Sequence, residues 1–225
     1  MEGTHNMNIQ LLFATGNQDK VREVKEIIND PGVSVYSTKE LGIRSDPEED
    51  GFTFEENALT KARVCALLLP APGPDREKFL TEKGLDPKQD LIVVSDDSGL
   101  VIDALDGAPG LLSARYMGRD TSYTDKMNHI LELLKDVPDE KRTARFVAAI
   151  AAVLPDRSCF AARGVMEGMI AHEIRGTNGF GYDPFFWLPE YGCTSAEIDP
   201  AEKNRISHRG RGIRKMMEIL KERYQ

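Results

Sequence analysis

Apolar residues recur along this chain at two periods, and the switches between them mark out its elements. Ile9-Gln10-Leu11-Leu12-Phe13-Ala14 is a short, nearly continuous apolar run that predicts a buried strand. Val21, Val24, Ile27 and Ile28 then share one helical face, with Arg22, Glu23, Lys25 and Glu26 on the other, and Asp30-Pro31-Gly32 stops that helix. Val33–Ser37 predicts a short strand. Thr53 with Glu56 has the form of a capping box, and Phe54, Ala58, Ala62, Cys65 and Leu69 follow at helical spacing, so the helix they predict runs to Pro70. Leu91–Ser95 predicts a strand. Ser122 with Asp125 opens a helix that turns Tyr123, Met127, Ile130, Leu131 and Leu134 inward. Strands are expected over 144–154 and 158–170, and a last helix buries Ile213, Met216, Met217 and Leu220. Strands and helices alternate early and strands cluster in the middle, which predicts an α/β fold with a mixed sheet. Residues 70–90 hold four prolines, two glycines and many charges, and read as a surface excursion.

Length sets the scale of that fold. The 225 residues suit one large domain, or two lobes sharing one core. A chain this long folds without disulfide or metal support. Hydrophobic residues at 40% and charged residues at 29% exclude a disordered chain. The longest apolar stretch, Phe146–Leu154, is half of the ~18 residues of a membrane span. Residues 1–7 show no basic region followed by an apolar one, so no signal peptide is expected; they read as a tail, a tag remnant or an alternative start at Met7. Cys65, Cys159 and Cys193 are odd in number and contain no C-x-x-C, which points to a reducing compartment such as the cytoplasm and to no zinc site. The net charge of −8 argues against stable binding to nucleic acid. It is unevenly spread: residues 201–225 carry +5 and the first 200 carry −13. An acidic body with one basic segment can hold a metal in one place and a polyphosphate in another.

Five segments carry candidate chemistry. Thr15-Gly16-Asn17-Gln18-Asp19-Lys20 lies between a strand and a helix, where backbone N–H groups and the positive helix end suit a phosphate and Lys20 adds a charge. The alternative is an ordinary turn with an Asn or Asp helix cap, since the full phosphate-loop pattern is absent. Ser95-Asp96-Asp97-Ser98-Gly99 directly follows a predicted strand. Its adjacent carboxylates repel each other and are best stabilised by a cation, for which Mg²⁺ suits the oxygen ligands, while one Asp orients or deprotonates a water. The alternative is a polar turn. Pro47-Glu48-Glu49-Asp50-Gly51 offers three more carboxylates, or simply solvated residues before a helix. Gly176–Phe186 combines three glycines with aromatics and Asp183; its rings either stack on a planar base or face the core. Lys203–Arg211 puts positive charge at the positive end of the last helix, as an anion clamp or as a solvated face.

Together, and in this order, these segments resemble the inosine triphosphate pyrophosphatases, the family that hydrolyses non-standard purine nucleoside triphosphates. The resemblance rests on ATGNQDK at 14–20, GFTFEENA at 51–58, SDDSG at 95–99 with GAPGLLSARY at 107–116, GFGYDP at 179–184 and SHRG at 207–210, and spans about residues 8–222. It implies an elongated mixed sheet flanked by helices, in one two-lobed domain over 8–225 with an active-site cleft between the lobes, 70–90 being an insertion. It also implies a homodimer in the cytoplasm and cleavage of ITP, dITP or XTP to the monophosphate and pyrophosphate with Mg²⁺. By the same resemblance Thr15, Gly16, Asn17, Gln18, Asp19 and Lys20 hold the triphosphate. Glu49 and Asp97, with Glu48 as a neighbour, hold the metal. Asp97 accepts a proton from water, Asp96 is a second acid, and Lys20 completes the catalytic set. Ser98, Phe180, Gly181, Tyr182, Asp183, Lys203, His208 and Arg209 contact substrate. Asp19 is expected to face away from the phosphates. Two other readings are a nucleotide- or RNA-binding module without catalysis and a phosphatase that releases orthophosphate.

Overall fold

The computed structural model describes residues 7–224, so all of the leading tail except Met7 lies outside the described residues. Among the described residues seven strands form one sheet in the order β2-β1-β3-β4-β5-β6-β7. These are β1 (Ile9–Phe13), β2 (Val33–Ser37), β3 (Asp90–Ile102), β4 (Thr143–Val153), β5 (Cys159–Ile170), β6 (Phe186–Leu188) and β7 (Cys193–Thr194). β1 lies parallel to both β2 and β3, with Leu11 opposite Val35 on one side and Ile92 on the other. β5, β6 and β7 pair antiparallel. The sheet is therefore mixed and the fold is α/β, as the alternation of elements predicts.

Among the described residues the α-helices are α1 (Gln18–Ile27), α2 (Phe54–Leu67), α3 (Pro74–Glu82), α4 (Tyr123–Leu133), α5 (Pro200–Ile206) and α6 (His208–Tyr224). The capping box of α2 is formed on both sides, Thr53 accepting from the Glu56 amide and Glu56 accepting from the Thr53 amide. Ser122 caps α4 by accepting from the Asp125 amide. Among the described residues no helix is long and apolar enough to cross a membrane.

Two expectations change. Residues 70–90 are not a plain excursion: Gly73, Pro74 and the acids Asp75 and Glu77 start α3, and Leu80 and Leu85 are buried. Pro at the first turn costs no hydrogen bond there, so the proline-rich start favours the helix it seemed to exclude. The third strand does not stop at Ser95. Leu100, Val101 and Ile102 carry it on to residue 102 through the Ser-Asp-Asp-Ser-Gly segment. Its parallel partner β1 ends at Phe13, opposite Val94. Asp96 and Asp97 thus emerge where the neighbouring parallel strand stops, although their own strand continues.

The chain divides into two compact units. Among the described residues one comprises 7–97, 149–163 and 212–224, and the other 98–148 and 164–211. In the first, β1 and the first half of β3 are almost wholly apolar and buried, with Ala58, Ala62 and Cys65 of α2 buried as well. Each fully buried Leu, Ile or Val contributes ~1.5–3 kcal/mol relative to exposure. The second unit has its own core of Leu100, Ile102, Met127, Ile130, Phe146, Phe185 and Phe186.

Candidate active site

In the first unit, acids and lysines meet at the end of the parallel strands. Successive side chains of a strand point to opposite faces. Asp96 and Asp97 therefore do not crowd one another as two acids in a turn would; each has its own lysine. Lys20, in the first turn of α1, reaches the buried Asp96 carboxylate. Lys61, two turns into α2, reaches Asp97 Oδ1 at 2.8 Å and Glu49 Oε1 at 2.9 Å. The other Asp97 oxygen, Oδ2, accepts from Asn57 Nδ2 at 3.2 Å.

Exposure alternates residue by residue from Arg44 to Asp50, the period of an extended chain. That alternation turns Glu49 toward Lys61 and leaves Glu48 exposed. Burial pushes the Asp97 carboxyl above its ordinary value, against the pull of Lys61 and Lys20. Burial works the other way on Lys61, but Asp97 and Glu49 outweigh it and hold the ammonium charged.

This donor set fits a hard divalent cation. Two carboxylate oxygens already converge on one positive centre, the Lys61 ammonium. Among the described residues no three His, Cys, Asp or Glu side chains gather into a complete cage. In general Mg²⁺ takes one or two protein carboxylates, with water and phosphate oxygens supplying the rest.

In the loop before α1 a side chain caps the start of the helix. Asn17 Oδ1 accepts from the Asp19 and Lys20 amides at 2.9 and 3.2 Å, and Thr15 Oγ1 accepts from the Asn17 amide at 3.1 Å. Gly16 and Gln18 are exposed, and nothing lies within 4 Å of the position a Gly16 Cβ would take. Asp19 pairs with Arg22 at the surface, so its side chain is turned away from Lys20 and Asp96.

In the second unit, Asp183 is the hub of the glycine-rich loop. It is buried and accepts from the Phe180 amide at 2.9 Å, Ser195 Oγ at 2.6 Å and Lys203 Nζ at 2.6 Å. Gly179 has φ +73°, and a Cβ there would lie 2.2 Å from Asp183 Oδ2 and 2.8 Å from Lys203 Nζ, so glycine is required on both counts. Phe180 is half-buried, with Lys203 Nζ 5.3 Å and the Arg209 guanidinium 5.5 Å from its ring centre. Arg209 also donates to Ser98 Oγ at 3.0 Å. The structure thus brings Ser98, Phe180, Asp183, Lys203 and Arg209 together.

Tyr182, expected to contact substrate, is packed inside its unit. Its ring is 3% exposed, stands edge-on to Tyr123 at 5.0 Å, and donates its hydroxyl to the Ser113 carbonyl at 2.9 Å. It ties the loop to the segment at 107–116, and Phe180 is the more exposed of the two rings. Gly181 places the turn beside Tyr123, whose ring a Cβ would meet at 3.6 Å. His208 is also packed, stacked on Phe146 at 4.8 Å and 15°.

Three polar residues escaped the sequence reading. Asn57 and Lys61 lie one helical turn apart beside the apolar stripe of α2; a polar pair bordering a buried stripe is the signal that marks them. Ser195 lies in a stretch with no motif, and nothing in the sequence singles it out.

Residues 11–219 match the Ham1 family. The chain is 42% identical to the dITP/XTP pyrophosphatase of Clostridium perfringens over 212 residues, covering 94% of this chain and 97% of that protein. It is 39% identical to the dITP/XTP pyrophosphatase of Vibrio cholerae over 215 residues, covering 95% and 97%. The solved Ham1 protein of Staphylococcus aureus superposes with a TM-score of 0.77 at 34% identity, covering 95% of this chain and 99% of that one. A match of this extent, carried by sequence and fold alike, shows that the chain belongs to the Ham1 family.

Proposed function

We propose that this chain hydrolyses non-standard purine nucleoside triphosphates, ITP, dITP and XTP, to the monophosphate and pyrophosphate, and that it does so with Mg²⁺ as a cytoplasmic homodimer. The observation that carries the reading is the Glu49–Lys61–Asp97 cluster beside the Lys20–Asp96 pair, in a chain whose relatives bear the name dITP/XTP pyrophosphatase. In the first unit the lysines supply charge for phosphate oxygens. In the second, Phe180 supplies a stacking face, and Lys203 and Arg209 supply hydrogen-bond donors.

Mg²⁺ held by Glu49 and Asp97 would neutralise phosphate charge and orient the leaving group. The rest falls to the side chains. Asp97, made more basic by burial, takes a proton from a water as that water's oxygen bonds to the α-phosphorus. The bond from the α-phosphorus to the bridging oxygen breaks, and pyrophosphate leaves with the electron pair. Lys20 offers its ammonium to the departing phosphates and so lowers the cost of the charge that builds there. Incubation of ITP with the protein and Mg²⁺, with separate assays for pyrophosphate and orthophosphate, tests the reading. Pyrophosphate is expected. Orthophosphate alone would make the chain a phosphatase, and tight nucleotide binding without turnover would make it a binding module.

Lys20→Ala is expected to weaken binding of a non-hydrolysable ITP analogue by about 1–3 kcal/mol while leaving IMP nearly unaffected, because the charged contact is to phosphates that IMP lacks. Equal losses for the two ligands in a calorimetric titration would place Lys20 elsewhere.

Base preference follows from donors. Stacking on Phe180 accepts any base, whereas Arg209 can only donate, and adenine presents an amino donor where inosine and xanthosine present an oxygen. We expect kcat/KM for ITP and XTP to exceed that for ATP by roughly 10²-fold or more, since an unpaired buried donor rejects the wrong base strongly. Equal values for ITP and ATP would defeat this argument. GTP shares the 6-oxo group, so its rejection rests on the 2-amino group; equal ITP and GTP values would remove only that step.

A further inference from the structure

We propose that Asn57 is a positioning residue that fixes the orientation of the Asp97 carboxylate and so sets which of its two oxygens is offered to a cation. The proposal rests on the pyrophosphatase reading given above. Asn57 is 2% exposed, and both ends of its amide are engaged. The Gly51 backbone amide is a donor and lies 2.9 Å from one end, so that end is the carbonyl oxygen Oδ1. The other end is then the NH₂ group, and it lies 3.2 Å from Asp97 Oδ2. The backbone of residue 51 thereby dictates that Asn57 presents a donor, and never an acceptor, to Asp97.

A carboxylate free to turn about its last bond offers either oxygen. With Oδ2 held by Asn57, Oδ1 is the oxygen left facing Lys61 and, through it, Glu49. The same amide anchors the turn at Gly51, two residues beyond Glu49, so one side chain registers both acids against each other. Gly51 leaves no room for a substitute arrangement: a Cβ there would lie 2.7 Å from Asn57 Oδ1. Asn57 sits on α2 behind its capping box, which holds the first turn of the helix, and with it the amide, in place.

Two variants separate this role from simple support of the turn. Asn57→Leu removes both hydrogen bonds at similar volume. Asn57→Asp keeps an acceptor for the Gly51 amide but sets a second carboxyl against Asp97, so that the two acids share a proton and Asp97 no longer faces a fixed neutral donor. If the donor to Asp97 is what matters, both variants lower kcat by roughly 10–100-fold with KM for ITP little changed, and both weaken Mg²⁺ binding to the free protein, measured calorimetrically, by a similar factor, as loss of an outer partner of a metal ligand does. In an Asp97→Asn background neither variant should cost further activity, because the residue acts only through Asp97. Wild-type activity for Asn57→Asp with a folded melting profile would overturn the proposal and leave Asn57 a support for the turn. So would a loss that adds fully to that of Asp97→Asn. Should Asn57→Leu fail to fold, Asn57→Asp still decides the matter. Failure of the wild-type protein to release pyrophosphate from ITP is a separate result, which removes the underlying reading.

Discussion

Asp97→Asn loses at least ~10²–10⁴-fold in turnover of ITP, the range of a positioned base alone, with its part in the metal site adding to that. The amide carries no charge for a cation and is no base for a water proton. The fold should survive. Lys61 keeps Glu49 at 2.9 Å when Asp97 loses its charge, and burial already disfavours that charge. A melting temperature within a few degrees of wild type is therefore expected, and a circular-dichroism melt beside the pyrophosphate assay reads both quantities. Retention of more than a tenth of the wild-type rate at saturating Mg²⁺, with the melt unchanged, would refute the assignment of Asp97. Asp96→Asn is the internal comparison. Asp96 faces Lys20 and is the more enclosed of the two acids, so its loss should act through Lys20 and be felt first in substrate affinity. A far larger fall in kcat for Asp96→Asn than for Asp97→Asn would exchange the two roles.

How far the sequence reaches into this arrangement depends on whether a feature is local. The capping box of α2 and the cap of α4 are interactions between residues three apart, and both form as their spacing predicts. The buried run Ile9–Phe13 and the more exposed segment Val33–Ser37 are strands for a related reason: their own residue types favour an extended chain. The continuation of β3 through Ser95–Gly99 is different. Two acids, two serines and a glycine have no propensity for a strand. They are held extended by tertiary context, with Ala58 accepting from Ser95 Oγ at 2.5 Å and apolar residues following at Leu100–Ile102. The local pattern there reads as a turn, and the pairing of Asp96 and Asp97 with different lysines becomes visible only once the strand is in place.

Site residues divide along the same line. Lys20 and Asp97 stand in short, unusual segments and are found by their type and spacing. Tyr182 and Phe180 stand in the same loop, two residues apart, and nothing in the sequence separates the ring that enters the core from the one that stays at its edge. That choice follows from Ser113, nearly seventy positions away, whose carbonyl accepts the Tyr182 hydroxyl. Glu48 and Glu49 differ only by parity in an extended run, and the parity is set where that run is anchored, at Gly51 by Asn57.

Asp183→Asn should be the most destabilising single change in the second unit, although it alters one atom. Three donors converge on this carboxylate: the Phe180 amide, the Ser195 hydroxyl and the Lys203 ammonium. An asparagine can keep one oxygen on the Phe180 amide and Lys203 and turn its NH₂ group to the Ser195 hydroxyl, which can accept, so the loss is that of the negative charge opposite the Lys203 ammonium. The Asp183 and Lys203 side chains are 4% and 5% exposed, and breaking a buried ion pair by removing one charge costs about 3–5 kcal/mol. For a chain of this size that corresponds to a fall in melting temperature of roughly 6–20 °C. Gly179→Ala should move stability the same way by a different route, because its Cβ would enter the space of Asp183 Oδ2 and its φ of +73° strains any side chain. Both changes act on the segment that carries Phe180. Nucleoside affinity should therefore fall along with stability, while affinity for pyrophosphate, handled in our reading by Lys20 and Lys61 of the first unit, should hold. Calorimetric scanning with separate titrations of inosine and pyrophosphate checks both halves. A melting temperature for Asp183→Asn within two degrees or so of wild type, or an equal loss of pyrophosphate affinity, would show that Asp183 is not the hub its three hydrogen bonds make it.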